Sequence, residues 1–328
     1  MWECPGCGAA DATDIQTVDV SEAARCFVRP WAELERYSQL VACISGLWGS
    51  DKARIVSCGR CALRSADPFV AGTPEFFSLV YEGKNSVHPY PSWRWEFQLT
   101  QDVVCRTKEG TVLDLGAGDG AFERRLIAAG VEASRLYATE YSPEARQALQ
   151  NLGVSVTGAD LLTLPPANHS VVCGHQVIQH FADLDAVFRA FDSLTGPDGV
   201  VALSVTNGIH KAAQQIAGGL FDMPPNHIST WRYSAFVSAA GRRGWEVIEY
   251  REEFMSKVES AKALAVSRTH RARQNPKSVT SKLERLAVTP RARYALMAAS
   301  AATRLPAAYL RTKDSYGGSI WVLLRRNI

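Results

Sequence analysis

Val112–Phe122 reads VLDLGAGDGAF: a short apolar strand, the loop Gly116-Ala-Gly118-Asp-Gly120, and then helix-forming sequence without a break. Glycines are needed where backbone turns tightly and must approach a ligand closely. A helix that starts directly after such a loop aims its free N–H groups and positive end at that ligand. The loop alone leaves the nucleotide open, because Gly116-x-Gly118-x-x-Ala121 also fits a dinucleotide fingerprint and hence a nicotinamide-dependent oxidoreductase. The acids around it shift the balance. Asp114 lies two residues before the first glycine, and its carboxylate suits an ammonium or sulfonium better than a pyrophosphate. Glu140 closes the next strand, where an acid can take both hydroxyls of a ribose. Asp160-Leu161 follows the third strand, offering one polar and one apolar contact to an adenine ring.

Outward from the loop, strands and helices alternate. Strands are expected at 111–115, 135–139, 154–156, 170–173, 200–205 and 245–249, with helices at 121–129, 143–152, 184–194 and 233–243. Ser142 is placed to cap the second of these helices and Gly153 to stop it, and Gly196-Pro-Asp-Gly199 reads as a turn closing the third. Such alternation means an α/β fold with a doubly wound parallel sheet. Residues 255–315 break the rhythm with Ala-, Arg- and Lys-rich helical sequence, and strand character returns at 318–325, so a helical insertion before the last strand is expected.

VLDLGAGDGAF, followed by Glu140 and Asp160-Leu161, resembles the ordered nucleotide-binding signature of class I S-adenosylmethionine methyltransferases over about 111–250. The resemblance implies a Rossmann-like seven-stranded sheet and S-adenosylmethionine as cofactor. It implies that Asp114, Gly116 and Gly118 line the methionine part, that Glu140 holds the ribose and that Asp160 with Leu161 holds the adenine. Gln176, just past the fourth strand, falls where such enzymes line the methyl-donor channel.

Upstream, Cys4-Pro-Gly-Cys7 and Cys58-Gly-Arg-Cys61 are two C-x-x-C knuckles. Four thiolates make a closed tetrahedral zinc site, which is structural because no coordination position stays open. The long separation calls for a helical insertion near 32–47, although Cys26 or Cys43 could replace one ligand; four unrelated reduced thiols, or a redox pair, are the other readings. An N-terminal CPxCG, a later CxxC, the aromatic stretch Tyr90–Phe97 and then the methyltransferase core resemble bacterial zinc-ribbon methyltransferases of the ubiquinone-biosynthesis type, implied to modify saccharides or secondary metabolites. Ala62 stands where that pattern usually has glycine. The organisation expected is a zinc-ribbon-like module over 1–75, aromatic linker and cap helices over 76–110, and the methyltransferase domain over 111–328.

Methyl transfer from a sulfonium needs an aligned acceptor and often a proton acceptor, for which histidine is the usual choice near neutral pH. His227, in Met223-Pro-Pro-Asn-His227, lies in a loop stiffened by two prolines, and the family shows a similar segment; it is the favoured base, with a helix-capping role as its alternative. His180, in His175-Gln-Val-Ile-Gln-His180, is the second candidate. The family usually has Glu where this chain has Gln179, which removes one way of orienting His180 and leaves a structural role open to it. Tyr90, Trp93 and Trp95 either wall the acceptor pocket or pack the N-terminal module onto the core.

Composition sets the outer limits. The 328 residues, 46% hydrophobic and 21% charged, suit one large α/β domain and a smaller module. No apolar run of membrane-spanning length occurs. MWECPGCG lacks a basic start followed by an apolar stretch, so the cytoplasm is the expected compartment. Net charge is +3, but residues 251–314 hold 14 Lys and Arg against 5 Asp and Glu. That imbalance fits a small-molecule acceptor of anionic, nucleotide- or phosphate-bearing type, or a merely solvated helical face. An RNA methyltransferase, with zinc module and basic segment, is the runner-up, although the basic stretch lacks interleaved aromatics. A non-catalytic partner protein keeping the fold is the third reading.

Overall fold

The structure is a computed structural model that describes residues 2–31, 33–81, 92–107, 109–211, 223–287 and 290–327. Its centre is a seven-stranded sheet built from β4 (Val112–Leu115), β5 (Leu136–Thr139), β6 (Ser155–Thr157), β7 (His169–His175), β8 (Thr195–Thr206), β10 (Trp245–Met255) and β11 (Ser315–Arg326). The spatial order is β6-β5-β4-β7-β8-β11-β10. Helices α4 (Trp95–Arg106), α5 (Ala121–Ala128) and α6 (Pro143–Asn151) cover one face through Phe97, Phe122, Leu126 and Leu149. The other is covered by α7 (Leu184–Leu194) and α8 (Tyr233–Gly241) through Phe188, Phe191 and Phe236. With both faces covered, strand residues split by period two: Leu113 and Leu115 of β4 enter one core, Val112 the other, and β11 divides the same way.

Local chemistry sets the element ends. The Ser142 hydroxyl accepts from Ala145 N–H with Pro143 in the first turn, and Gly153 takes φ +82° after α6. Gly196–Gly199 loops out between the pairs His169↔Thr195 and Val171↔Val200, so the expected turn is carried inside β8. The sheet departs from the all-parallel expectation at one strand. β11 runs antiparallel to both β8 and β10, because β10 and β11 are the two arms of a long hairpin, with Met255 paired to Ser315 across the base of the insertion.

The insertion is α9 (Lys257–Gln274), α10 (Val279–Leu286) and α11 (Pro290–Tyr309). A capping box between Ser256 and Glu259 starts it. It folds back on the N-terminal segment: Glu284 of α10 is buried between Arg29 (2.5 Å) and Arg273 (2.9 Å), and the Arg285 guanidinium stands 5.2 Å from the centre of the Trp31 ring.

The N-terminal segment holds a second sheet, β1 (Ala12–Asp19), β2 (Lys52–Cys58), β3 (Arg64–Asp67) and β9 (Ser229–Thr230), in that order. Between β1 and β2 the chain forms α1 (Val20–Phe27) and α2 (Leu34–Trp48), and α3 (Pro74–Tyr81) packs on α2. The stretch after the first knuckle, irregular by pattern, is thus β1 and α1; β1 is held by its ladder to β2 rather than by a buried face. β9 arrives from beyond β8 and pairs Ser229 and Thr230 with Ser65 and Arg64 of β3. Cys58, Cys61 and Leu63 share one continuous core with Phe188, Trp231, Phe236 and Trp245.

Phe236 is fully buried in that shared core and stacks on Trp231 with ring centres 4.5 Å apart. Phe236→Ala is expected to lower the unfolding free energy by about 3–5 kcal/mol. In chemical denaturation, the signals of both sheets should shift together, as one core predicts.

Candidate functional site

The chain leaves β4 for β5 and β6 on one side, then crosses back to β7 on the other. Strand order reverses at β4, which opens a crevice at the carboxyl ends of β4 and β7. The glycine loop lies there. Gly116, Gly118 and Gly120 take φ of +67°, +59° and +84°, the left-handed region that only glycine enters without strain. A Cβ on Gly116 would also stand 3.1 Å from Val177 Cγ2.

Around this loop the expected nucleotide residues take up defined positions. Glu140, after β5, accepts from Gly118 N–H (2.8 Å) and Ser142 N–H (2.9 Å) with different oxygens, so each oxygen keeps capacity for a further donor. Asp160 caps a single turn at Leu161–Thr163, accepting from Leu162 N–H (2.8 Å), and takes the Tyr141 hydroxyl on its other oxygen (2.6 Å). Leu161 is buried below it. Burial and that hydrogen bond to Asp160 push the Tyr141 phenol up.

Asp114 points beneath the loop, into the layer between the sheet and α4–α5. It is 4% exposed and meets the Cys173 thiol (3.4 Å) and His175 Nδ1 (3.7 Å). The His175 ring is edge-on to Phe97 and Phe122, and its Nε2 meets Thr100 Oγ1 (3.1 Å), which also accepts from the Trp321 indole N–H (2.9 Å). Glu123, 1% exposed on α5, faces the same Asp114; burial first, and the Asp114 charge next, raise its carboxyl pKa well above 4.5. Glu123 and His175 were not singled out by sequence. An acid two residues into a helix reads as a solvated first-turn charge, and only the tertiary layer above it reveals otherwise.

Beside the crevice lies a hydrogen-bonded polar cluster. Gln176 has φ +66°, an unusual conformation for a residue with a side chain. Its Nε2 donates to the buried Glu96 (3.4 Å), and its Oε1 accepts from Gln179 Nε2 (3.0 Å) and Thr206 Oγ1 (3.2 Å). Thr206 N–H donates to Gln179 Oε1 (2.8 Å), which fixes the orientation of that amide. Gln179 Nε2 therefore donates to His227 Nε2 (3.1 Å), leaving the imidazole proton on Nδ1, toward Thr206 Oγ1 (3.4 Å). Burial, with Lys211 and His180 nearby, holds His227 well below the usual histidine pKa, so it is neutral at neutral pH. His180 stands edge-on to His227, ring centres 4.8 Å apart, and donates from Nδ1 to the Asn226 carbonyl (2.8 Å). The structure thus brings both candidate bases together and turns Gln179 onto His227. Trp95 donates to Ser319 Oγ (2.7 Å), tying α4 to β11, while Trp93 is largely exposed. Tyr90 lies outside the described residues. Glu96, hidden between aromatic residues in the sequence, is the further polar group of this cluster.

The two knuckles also converge. The sulfurs of Cys4, Cys7, Cys58 and Cys61 all lie within 4.8 Å of one another, with Cys4–Cys61 at 3.6 Å and Cys7–Cys58 at 3.5 Å. A tetrahedral zinc with bonds of about 2.3 Å spaces its sulfurs by about 3.8 Å, so this donor set has the right chemistry and size. The Cys61 thiol is the main reason Cys4 is pulled down to about 5. Cys26 instead donates to the Glu22 carbonyl within α1, away from the cluster. Ala62 takes φ +59° in the second knuckle, a glycine-type conformation. Arg243, after α8, donates to the carbonyls of Pro5 and Gly6 (both 2.9 Å), clasping the first knuckle to the main domain.

The raised carboxyl of Glu123 sets a sign for stability. Above pH 4.5 an unfolded glutamate loses its proton while the folded chain retains it, so wild-type stability declines as pH rises toward the raised value. Glu123→Gln, a mimic of the protonated acid, should be the more stable protein at pH 7 to 8. In urea titrations that advantage should shrink to nothing near pH 4.

Residues 94–250 match a protein family described as a methyltransferase domain. No curated protein matches the chain. Among solved structures, the chain is similar to a coclaurine N-methyltransferase bound to N-methylheliamine and S-adenosylhomocysteine, at 15% identity and a TM-score of 0.46, covering 94% of this chain and 95% of that one. It is also similar to the [4+2]-cyclase SpnF (14% identity, 73% and 84% covered, TM-score 0.43). A third is the Burkholderia thailandensis 1,6-didemethyltoxoflavin-N1-methyltransferase with its substrate and S-adenosylhomocysteine (16% identity, 54% and 78% covered, TM-score 0.41). The glycine loop at the switch point and the acids after the next two strands all lie within residues 94–250, the stretch that matches the methyltransferase domain.

Proposed function

We propose that this protein transfers the methyl group of S-adenosylmethionine to a small-molecule acceptor, a hydroxyl of a saccharide or secondary metabolite. The observation that carries this reading is Gln176, which directly follows β7 at the crevice and is bonded on its other side to the Thr206–Gln179–His227 network. Donor crevice and acceptor pocket meet at that residue.

S-adenosylmethionine, when bound, supplies an electrophilic methyl group on a sulfonium. Glu140 takes the ribose hydroxyls with its remaining lone pairs, Asp160 and Leu161 take the adenine, and Gly116 and Gly118 admit the methionine part. Asp114 contributes negative charge from below the loop. Gln176 lines the methyl channel. His227 is the base: it is neutral, and its Nε2 accepts the acceptor's hydroxyl proton once Gln179 yields that lone pair. His180 stands as the alternative base. Cys4, Cys7, Cys58 and Cys61 hold a structural zinc within a module spanning about 1–75. Among the described residues no helix is long and apolar enough to cross a membrane.

A labelled-methyl transfer screen over nucleotide sugars, lipid-linked glycans, phenolic metabolites and RNA tests the reading. Label in a small hydroxylated compound is expected; label in RNA would replace it with the nucleic-acid reading. With an acceptor in hand, kcat/KM should stay level as pH drops through 6.5 and decline only in more acid solution, because the His227 pKa is depressed. His227→Ala should lose about 10²–10⁴-fold in kcat; full activity would transfer the role away from it. Metal analysis should find one zinc per chain, and Cys61→Ser should abolish it and lower the melting temperature.

A further inference from the structure

A small cavity lies between the β3–β9 pair and the 223–227 loop, lined among others by Arg64, Ser65, Lys211, Met223, His227 and Thr230. Its volume, about 20 Å³, has room for a small group and not for a ring. Arg64 is half-buried here, placed opposite Thr230 by the strand register. Among the described residues neither Arg64 nor the neighbouring Arg232 makes an ion pair or a side-chain hydrogen bond. Burial and the Arg232 charge both work against the Arg64 guanidinium, and no carboxylate among the described residues offsets them. Lys211, 6% exposed, adds a third cationic side chain and repels protons from His227. A half-buried guanidinium is costly without a counter-charge, and its planar fork of donors matches a carboxylate or phosphate.

We infer that Arg64 is a specificity-determining residue that binds an anionic oxygen group of the methyl acceptor, a carboxylate or a phosphate ester. This assignment rests on the methyl-transfer reading above. It narrows the acceptor class: the molecule carries its anionic group within a few bonds of the hydroxyl presented to His227, as a hydroxy acid or a phosphorylated sugar does. The cation comes from the cysteine-bearing N-terminal segment, three residues after Cys61, and the base comes from the loop beyond β8. The β3–β9 pairing that joins the two sheets therefore also assembles the acceptor site.

The test uses the full chain saturated with S-adenosylhomocysteine and titrated calorimetrically with acetate and, separately, with inorganic phosphate. Wild type should bind at least one of the two, and which one identifies the acceptor's anion. Arg64→Gln should weaken that binding at least tenfold, and Arg64→Lys should retain part of it. Both variants should bind S-adenosylhomocysteine like wild type, and Arg64→Gln should melt no lower, since it removes an uncompensated charge. Absence of binding by wild type, equal binding by Arg64→Gln, or a lower melting temperature for Arg64→Gln overturns the assignment. Failure of wild type to bind S-adenosylhomocysteine would instead overturn the methyl-transfer reading, whatever the anions do.

Discussion

The constraint on which this molecule depends is topological. After β6 the chain must return across β4 to β7, and no helix can fill the space it leaves at the carboxyl ends of those two strands. Every polar feature of interest is arranged about that gap. The loop that borders it is built from three left-handed glycines, because backbone must bend there and leave no side chain in the way. Glu140 and Asp160 reach it because β5 and β6 end beside β4 in register. Gln176 reaches it from the other side because β7 pairs with β4.

A second dependence links the cysteine module to the catalytic body. The module has a core of its own about Leu40, Ile44 and Phe76, and it also joins the core of α7 and α8 through Cys58, Cys61 and Leu63. Arg243 binds its first knuckle and β9 extends its sheet. A metal in the four-cysteine cluster would thus stiffen the segment that carries β3 and its pairing to β9.

Much of this was legible in the sequence, for identifiable reasons. The glycine loop and the strand–helix alternation are local signals, and the strands about the crevice fell where the apolar runs lay. The two knuckles were legible as a pair because thiols have few other reasons to repeat at that spacing. What stayed hidden was set by distant partners. β1 has a polar pattern and owes its existence to pairing with β2. The reversal of β11 follows from a hairpin whose arms are separated by the whole insertion. Glu123 and Glu96 carry the residue type of a surface and the burial of a core. Gln179 looked like the loss of an acid beside His180; the Thr206 amide turns it toward His227 instead.

The central claim is that the crevice at the β4–β7 switch point holds S-adenosylmethionine, and titration of the purified full chain with that compound in a calorimeter tests it most directly. The account predicts saturable binding at one site per chain, competed by S-adenosylhomocysteine. No binding heat across temperatures, or equal displacement by a nicotinamide dinucleotide, would contradict it.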